Sequence, residues 1–263
     1  MKIILVLIVL LFFIFSKSSF SSSNSVYTFY EKFKDRFKLI PGNSFKCIDM
    51  VYVVAMPQRI EYITGQMNKL NVQYTLFDAI KKGDITDSEI NQISSVNKFG
   101  SRIYKLPTRL FHTLSFTMCF IDSIKKGYSN IIIFEDDIVI NVDLTMLNDS
   151  LEEFDRSNND FFYLGYCFLN CKQKKDLGKY KYLVELNDPS ILCNHSTVFK
   201  VNALPPLIDY LFPMKIPTDE AMVKYFKKNK TKVCIPKKAY FDQVSRDQME
   251  SLNVSTNVLK HCQ

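Results

Sequence analysis

Ten residues, Ile131-Ile132-Ile133-Phe134-Glu135-Asp136-Asp137-Ile138-Val139-Ile140, constrain this chain more than any other stretch. Ile and Val on both sides of three consecutive acids read as a strand buried on both faces. Desolvating an unpaired carboxylate costs several kcal/mol, so the strand is expected to end at Phe134, with the acids emerging at its edge. Side chains two apart in an extended segment point the same way. Glu135 and Asp137 should therefore converge, while Asp136 faces elsewhere. Two convergent carboxylates suit a hard divalent cation, Mg²⁺ or Mn²⁺, held through oxygen. An acidic turn with no ligand is the alternative that context must decide.

The flanking segments supply that context. Ile48 to Met56 is a Val-rich apolar run that reads as a central strand, ended by Pro57. Arg59 to Leu70 has helical spacing through Ile60, Ile63, Met67 and Leu70, and Val72 to Phe77 reads as a strand. Strand, helix, strand in that space is a βαβ unit with a parallel pair and a right-handed crossover. Thr86 and Glu89 have capping-box spacing, opening a helix to about Val96. A longer helix, Pro107 to Lys126, stops at Gly127 and feeds the acidic strand. Leu144 to Phe154, Ala203 to Phe212 and Asp219 to Phe226 read as helices. Pro205 and Pro206 fit the second of these only in its first turn. Phe161 to Gly165, Tyr182 to Leu186, Thr197 to Val201 and Lys232 to Ile235 read as strands, and Cys167 to Lys181 as a Lys-rich loop. The expected fold class is α/β, one domain with a mixed, mainly parallel central sheet flanked by helices. Ligands in such folds sit at the carboxyl ends of parallel strands, where the acids lie.

At the N-terminus, Met-Lys precedes thirteen apolar residues and a Ser-rich tail to Ser25. The apolar run is short against the ~20 residues of a membrane span and fits a secretory signal. Residues 1–25 are thus expected to be a signal peptide or signal-anchor, 26–46 an N-terminal extension with a short amphipathic helix, and 47–263 the domain. The expected location is the lumen of the endoplasmic reticulum or Golgi, or outside the cell, with membrane contact only through an uncleaved leader. The seven cysteines lack zinc-site spacing, and in an oxidising compartment some should pair, Cys167 with Cys171 being one option. Asn148, Asn194, Asn229 and Asn253 open N-x-Ser/Thr sequons that would permit glycosylation. The net charge of +7 is dispersed, with no basic helix, Cys/His finger or RNP-like sequence, so no nucleic-acid partner is expected.

Several motifs, in order, resemble glycosyltransferase family 25, which includes lipooligosaccharide and procollagen galactosyltransferases. These are the strand ending in Glu135-Asp136-Asp137, then Tyr163-Leu164-Gly165, then Cys193-Asn194-His195-Ser196-Thr197-Val198-Phe199 with Ala203 and Leu204, then Pro217-Thr218-Asp219-Glu220, and Phe241-Asp242-Gln243 before Ser245. The resemblance spans about Cys47 to Ser245 and implies a GT-A-like fold. Two segments depart from it. The opening strand keeps only Arg59 of a usual arginine pair. In the helix before the acidic strand, Phe111, His112, Ser115 and Phe116 stand where Gly-Cys-x-x-Ser-His is usual, so only the Ser matches.

What the resemblance implies is a hexosyltransferase, galactose favoured, that takes a UDP-sugar with Mn²⁺ (or Mg²⁺) and inverts the transferred centre. The acceptor would be a hydroxyl on a glycan or protein, collagen-like and lipid-linked glycans included. Such a reaction needs a cation to neutralise the leaving diphosphate and a base for the acceptor hydroxyl. Asp137 is the first candidate metal ligand, with Glu135 sharing the ion or binding donor. Asp136, His195, Gln243 and Arg59 are candidate donor contacts, Asp242 a donor or acceptor contact, and His195 also a candidate ligand. Asp219 is the candidate base, with Glu220 behind it, although a helix-capping role would explain Asp219 equally. Lys172, Lys174 and Lys175 would form either a solvated loop or a lid over the diphosphate. The rival readings are a catalytically silent GT-A-like binding or adhesion module and, less well supported, a metal-dependent phosphohydrolase, for which His112, His195 and His261 are too scattered.

Overall fold

The computed structural model describes residues 23–94, 106–166, 174–175 and 178–244. Residues 1–22 of the expected leader, Cys167 with Cys171, Lys172, Val96, Asn253 and His261 lie outside the described residues, whereas Ser23–Ser25 open the first helix.

A nine-stranded sheet runs through the molecule in the order β1-β3-β2-β4-β9-β6-β10-β8-β7. Its strands are β1 (Phe37–Ile40), β2 (Met50–Ala55), β3 (Tyr74–Asp78), β4 (Asn130–Glu135), β6 (Phe161–Gly165), β7 (Lys174–Lys175), β8 (Leu183–Leu186), β9 (Ser196–Lys200) and β10 (Val233–Pro236). The strands β5 (Ile138–Ile140) and β11 (Phe241–Gln243) pair separately. The βαβ expectation holds, since β2 lies parallel to β3 and to β4. β9 is antiparallel to both β4 and β6, which makes the sheet mixed.

The helices are α1 (Ser23–Phe33), α2 (Ile60–Leu70), α3 (Asp87–Ile93), α4 (Leu106–Lys126), α5 (Leu144–Asp155), α6 (Leu204–Leu211) and α7 (Thr218–Asn229). Central strands alternate between two cores. From β2, Tyr52 and Val54 enter the layer that holds α1, α4, α6 and α7, whereas Val51, Val53 and Ala55 enter the one that holds α2 and α5. Burial on both faces is why these strands are apolar runs and not alternations.

The stretch expected as an extension is woven into this body. β1 pairs antiparallel with β3. From α1, Tyr30 donates its hydroxyl to Asp122 of α4 at 2.8 Å, and Tyr52 of β2 donates to the same carboxylate at 2.5 Å. Asp122 is 2% exposed and also meets Lys126 at 2.9 Å, so one buried acid ties α1 and β2 to α4.

Boundaries shift for local reasons. Pro57–Arg59 forms a 3₁₀ turn before α2, with Pro at its first position. The capping box at Thr86 and Glu89 is present, but its helix ends at Ile93. Pro205 and Pro206 fall in the first turn of α6, as Pro requires.

Candidate active site

The acids sit where β4 ends. Glu135 is the last strand residue, Asp136 and Asp137 form a turn, and Ile138 opens β5. Each of the three carboxylates has its own partners. Asp136 accepts a hydrogen bond from the Met56 backbone N–H at 2.7 Å and pairs with Arg59 Nη1 at 2.7 Å, pinning β4 to the end of β2. Asp137 accepts from Gln243 Nε2 at 3.4 Å and lies 3.9 Å from Arg59. The Asp137 carbonyl accepts from the Val244 N–H at 2.9 Å, and Gln243 stands opposite Ile138. The β5–β11 ribbon is thus what carries Gln243 to the acids. Glu135 faces α4 and meets His112 Nε2 at 3.1 Å.

Charge is unevenly balanced here. Burial raises the Asp137 pKa, Glu135 and Asp136 add to it, and Arg59 and Gln243 offset only part, leaving it at about 8. Burial would also raise Glu135, but His112, helped by His195 and Arg59, holds it below the usual carboxylate range. His112 is the counterpart: burial lowers its pKa, yet Glu135, then Asp219 and Asp137, lift it above the ordinary histidine value.

Two cavities open on this cluster. The larger, ≈ 490 Å³, has apolar walls from Val54, Met56, Ala79, Ile80 and Phe111, with Arg59, Lys81, Lys82 and Asp136 also lining it. The smaller, ≈ 270 Å³, is lined by Arg109, Cys193, Asn194, Pro217, Thr218, Asp219, Glu220 and Gln243. Thr108, His112 and Glu135 line both. α4 supplies this shared wall because Thr108, Phe111, His112 and Ser115 follow the i, i+3, i+4, i+7 spacing of one helix face. Ser115 Oγ accepts from the Ile80 N–H at 2.9 Å, fixing the end of β3 against that face.

Most of the sequence candidates meet in this cleft. Glu135, Asp219, Glu220 and Gln243 line one cavity, and Glu135, Asp136 and Arg59 the other. Asp219 accepts the Glu220 N–H at 2.9 Å in the first turn of α7, but Pro217 occupies the cap position with no side-chain cap bond, so Asp219 lies inside the helix and does not cap it. Asp137, 7% exposed, lines neither cavity. His195, 1% exposed, is packed behind the site, its Nε2 3.4 Å from the Phe241 carbonyl. A Cβ on Gly165 would fall 2.3 Å from His195 Nε2 and 2.3 Å from that same carbonyl, so only glycine lets β6 approach here. Asp242 accepts from Asn141 at 2.6 Å. Lys174 and Lys175 form the edge strand β7 against β8. Cys193 is disulfide-bonded, whereas Cys47, Cys119 and Cys234 are free.

Sequence reasoning missed Thr108 and Arg109 and met His112 only as a mismatch. The signal was there: His112 lies four residues before Phe116, the position of the family's histidine, so the imidazole occupies the same helix face one turn earlier.

The mixed sheet, with the neighbouring strands β3, β2 and β4 parallel, delivers the acids to a two-chambered cleft, a build consistent with a GT-A-like fold. Residues 49–222 match the model of glycosyltransferase family 25, described as LPS biosynthesis proteins, and the chain belongs to that family. It is a glycosyltransferase, and its family implies a nucleotide-sugar donor and a glycan acceptor. No curated protein matches the chain. Among solved structures, the crystal structure of A197 from STIV is similar at 12% identity and a TM-score of 0.35, over 81% of this chain and 97% of that one.

Proposed function

We propose that this enzyme transfers a hexose, galactose favoured, from a UDP-sugar to a hydroxyl of a glycan or protein acceptor, with a divalent cation and inversion of the transferred centre. One observation carries the reading: the cavities on either side of Glu135 meet at it, and Asp219 stands in the smaller. The larger cavity has the volume of a small-molecule pocket. Its apolar walls suit a base, and Arg59, Lys81 and Lys82 suit phosphates.

The acid cluster fits a cation. Burial, then the charges of Glu135 and Asp136, raise the Asp137 pKa to about 8, and a cation held there would offset that cost. Among the described residues no group of three or more His, Cys, Asp and Glu side chains forms a ready-made cage. Asp137 and Glu135 would therefore hold Mn²⁺ or Mg²⁺ together with oxygens from the donor and water, the usual arrangement for Mg²⁺. When bound, such an ion neutralises charge on a leaving diphosphate.

The chain's own residues do the rest. Arg59, held by Asp136, keeps a fixed positive charge beside the donor cavity. The Asp219 carboxylate takes the proton of the acceptor hydroxyl as its oxygen bonds to the anomeric carbon. The bond from that carbon to the diphosphate breaks on the opposite face, and its electron pair leaves with the phosphate. Glu135, ionised beside His112, lies where it can stabilise the oxocarbenium character that develops, as carboxylates do in glycoside hydrolysis. We infer a secretory-pathway setting from the N-terminal leader.

The reading is tested by screening nucleotide-sugars for Mn²⁺-dependent hydrolysis and transfer. UDP-galactose should turn over best. In Asp219→Asn, turnover should fall at least 100-fold with donor affinity retained. Normal turnover in that variant would remove Asp219 from the base role.

A further inference from the structure

We infer that His112 and Thr108 hold the sugar that is transferred and set which hexose the enzyme accepts; this rests on the donor and acceptor cavities assigned above. A hexose in transfer is bonded at its anomeric carbon first to a phosphate oxygen and then to the acceptor oxygen. It must therefore lie where the donor and acceptor cavities join. The three side chains lining both are Thr108, His112 and Glu135. Two of them sit on the same face of α4, one turn apart. The imidazole is held in place from two sides: Nε2 meets Glu135 at 3.1 Å, and the ring packs on Phe116 with centroids 4.6 Å apart. A ring fixed this way, one helical turn from Thr108 on the same cleft wall, offers hydrogen-bonding groups at set positions. Such a wall discriminates sugars that differ in the direction of one hydroxyl, because a site built around one hydrogen bond is left with an unmatched polar group when the wrong epimer enters. Arg59, Lys81 and Lys82 line only the larger cavity and should feel the nucleotide, not the sugar.

The test compares UDP, which lacks the sugar, with UDP-galactose and UDP-glucose. Affinities are measured by calorimetry in Mn²⁺ buffer, and kcat and KM are measured separately for each donor. His112→Phe keeps the packing on Phe116 and removes the ring nitrogens; Thr108→Val keeps the shape and removes the hydroxyl. In Thr108→Val, UDP affinity should stay within about twofold of wild type; His112→Phe also removes the partner of Glu135, so there the loss for UDP-hexose should exceed the loss for UDP. UDP-hexose affinity should fall about tenfold, the loss expected of one good hydrogen bond. The preference between galactose and glucose donors should collapse, while His112→Gln should recover part of it. Equal loss for UDP and UDP-hexose, or an unchanged preference, overturns the sugar-holding role while leaving the donor cavity in place. Failure of the wild-type protein to bind UDP overturns the donor-site reading and this inference with it.

Discussion

Asp137 is the residue on which the chemistry and the stability of the site pull in opposite directions. Burial and its neighbours hold its pKa at about 8, well above the ordinary carboxylate value. In the metal-free protein the folded state then keeps a proton that the unfolded chain releases near pH 4. Its contribution to stability is full below that value and is lost as pH rises to about 8. Melting temperature in chelator should therefore fall across pH 4 to 8 more steeply in wild type than in Asp137→Asn; equal slopes would show that Asp137 ionises freely. Gly165 is the other single residue under constraint. Gly165→Ala forces a methyl onto His195 and the Phe241 backbone, and should cost roughly 2–3 kcal/mol in urea unfolding.

At the level of elements, α1 is held by a buried charge network as well as by packing. Asp122→Ala strands the hydroxyls of Tyr30 and Tyr52 and the Lys126 ammonium. It should lower stability by about 3 kcal/mol and expose α1 to limited proteolysis; unchanged protection would mean packing alone holds it. The elements legible in the sequence were those with a strong period or a hard stop. Phe161–Gly165 was read to the residue, Leu144–Asp155 and α4 to within one. Short strands escaped: β1, with four residues, two of them exposed, has no apolar run to announce it, and β5 and β11 exist only as each other's partners. Glu135, Asp136, Asp219, Glu220, Gln243 and Arg59 line the cleft, and motifs carried each of them in the sequence. Thr108 and His112 were not so carried, because a helix face reaches the cleft only through packing that no local pattern states. His195, in a motif, lines neither cavity, because just before β9 its buried side chain packs against Gly165 of β6 and the Phe241 carbonyl of β11.

Across the whole molecule, the proposed donor and acceptor chambers share one wall, so on this proposal donor binding and acceptor binding should be coupled through α4. The sequons also sort by burial. Asn229 is exposed at the end of α7, whereas Asn194 is 2% exposed and accepts the Tyr163 hydroxyl at 3.2 Å. Expression through a secretory pathway should therefore give a glycosidase-sensitive mass shift that is diminished by Asn229→Gln and unaffected by Asn194→Gln. The central claim is that the acids at the end of β4 bind a nucleotide diphosphate through a cation, and titrating UDP with and without Mn²⁺ into wild type and Asp137→Asn tests it most directly. UDP should bind wild type only with Mn²⁺ and bind Asp137→Asn at least 100-fold more weakly in the same buffer, the variant remaining folded. Equal affinity with and without the ion, or full affinity in the variant, would contradict it.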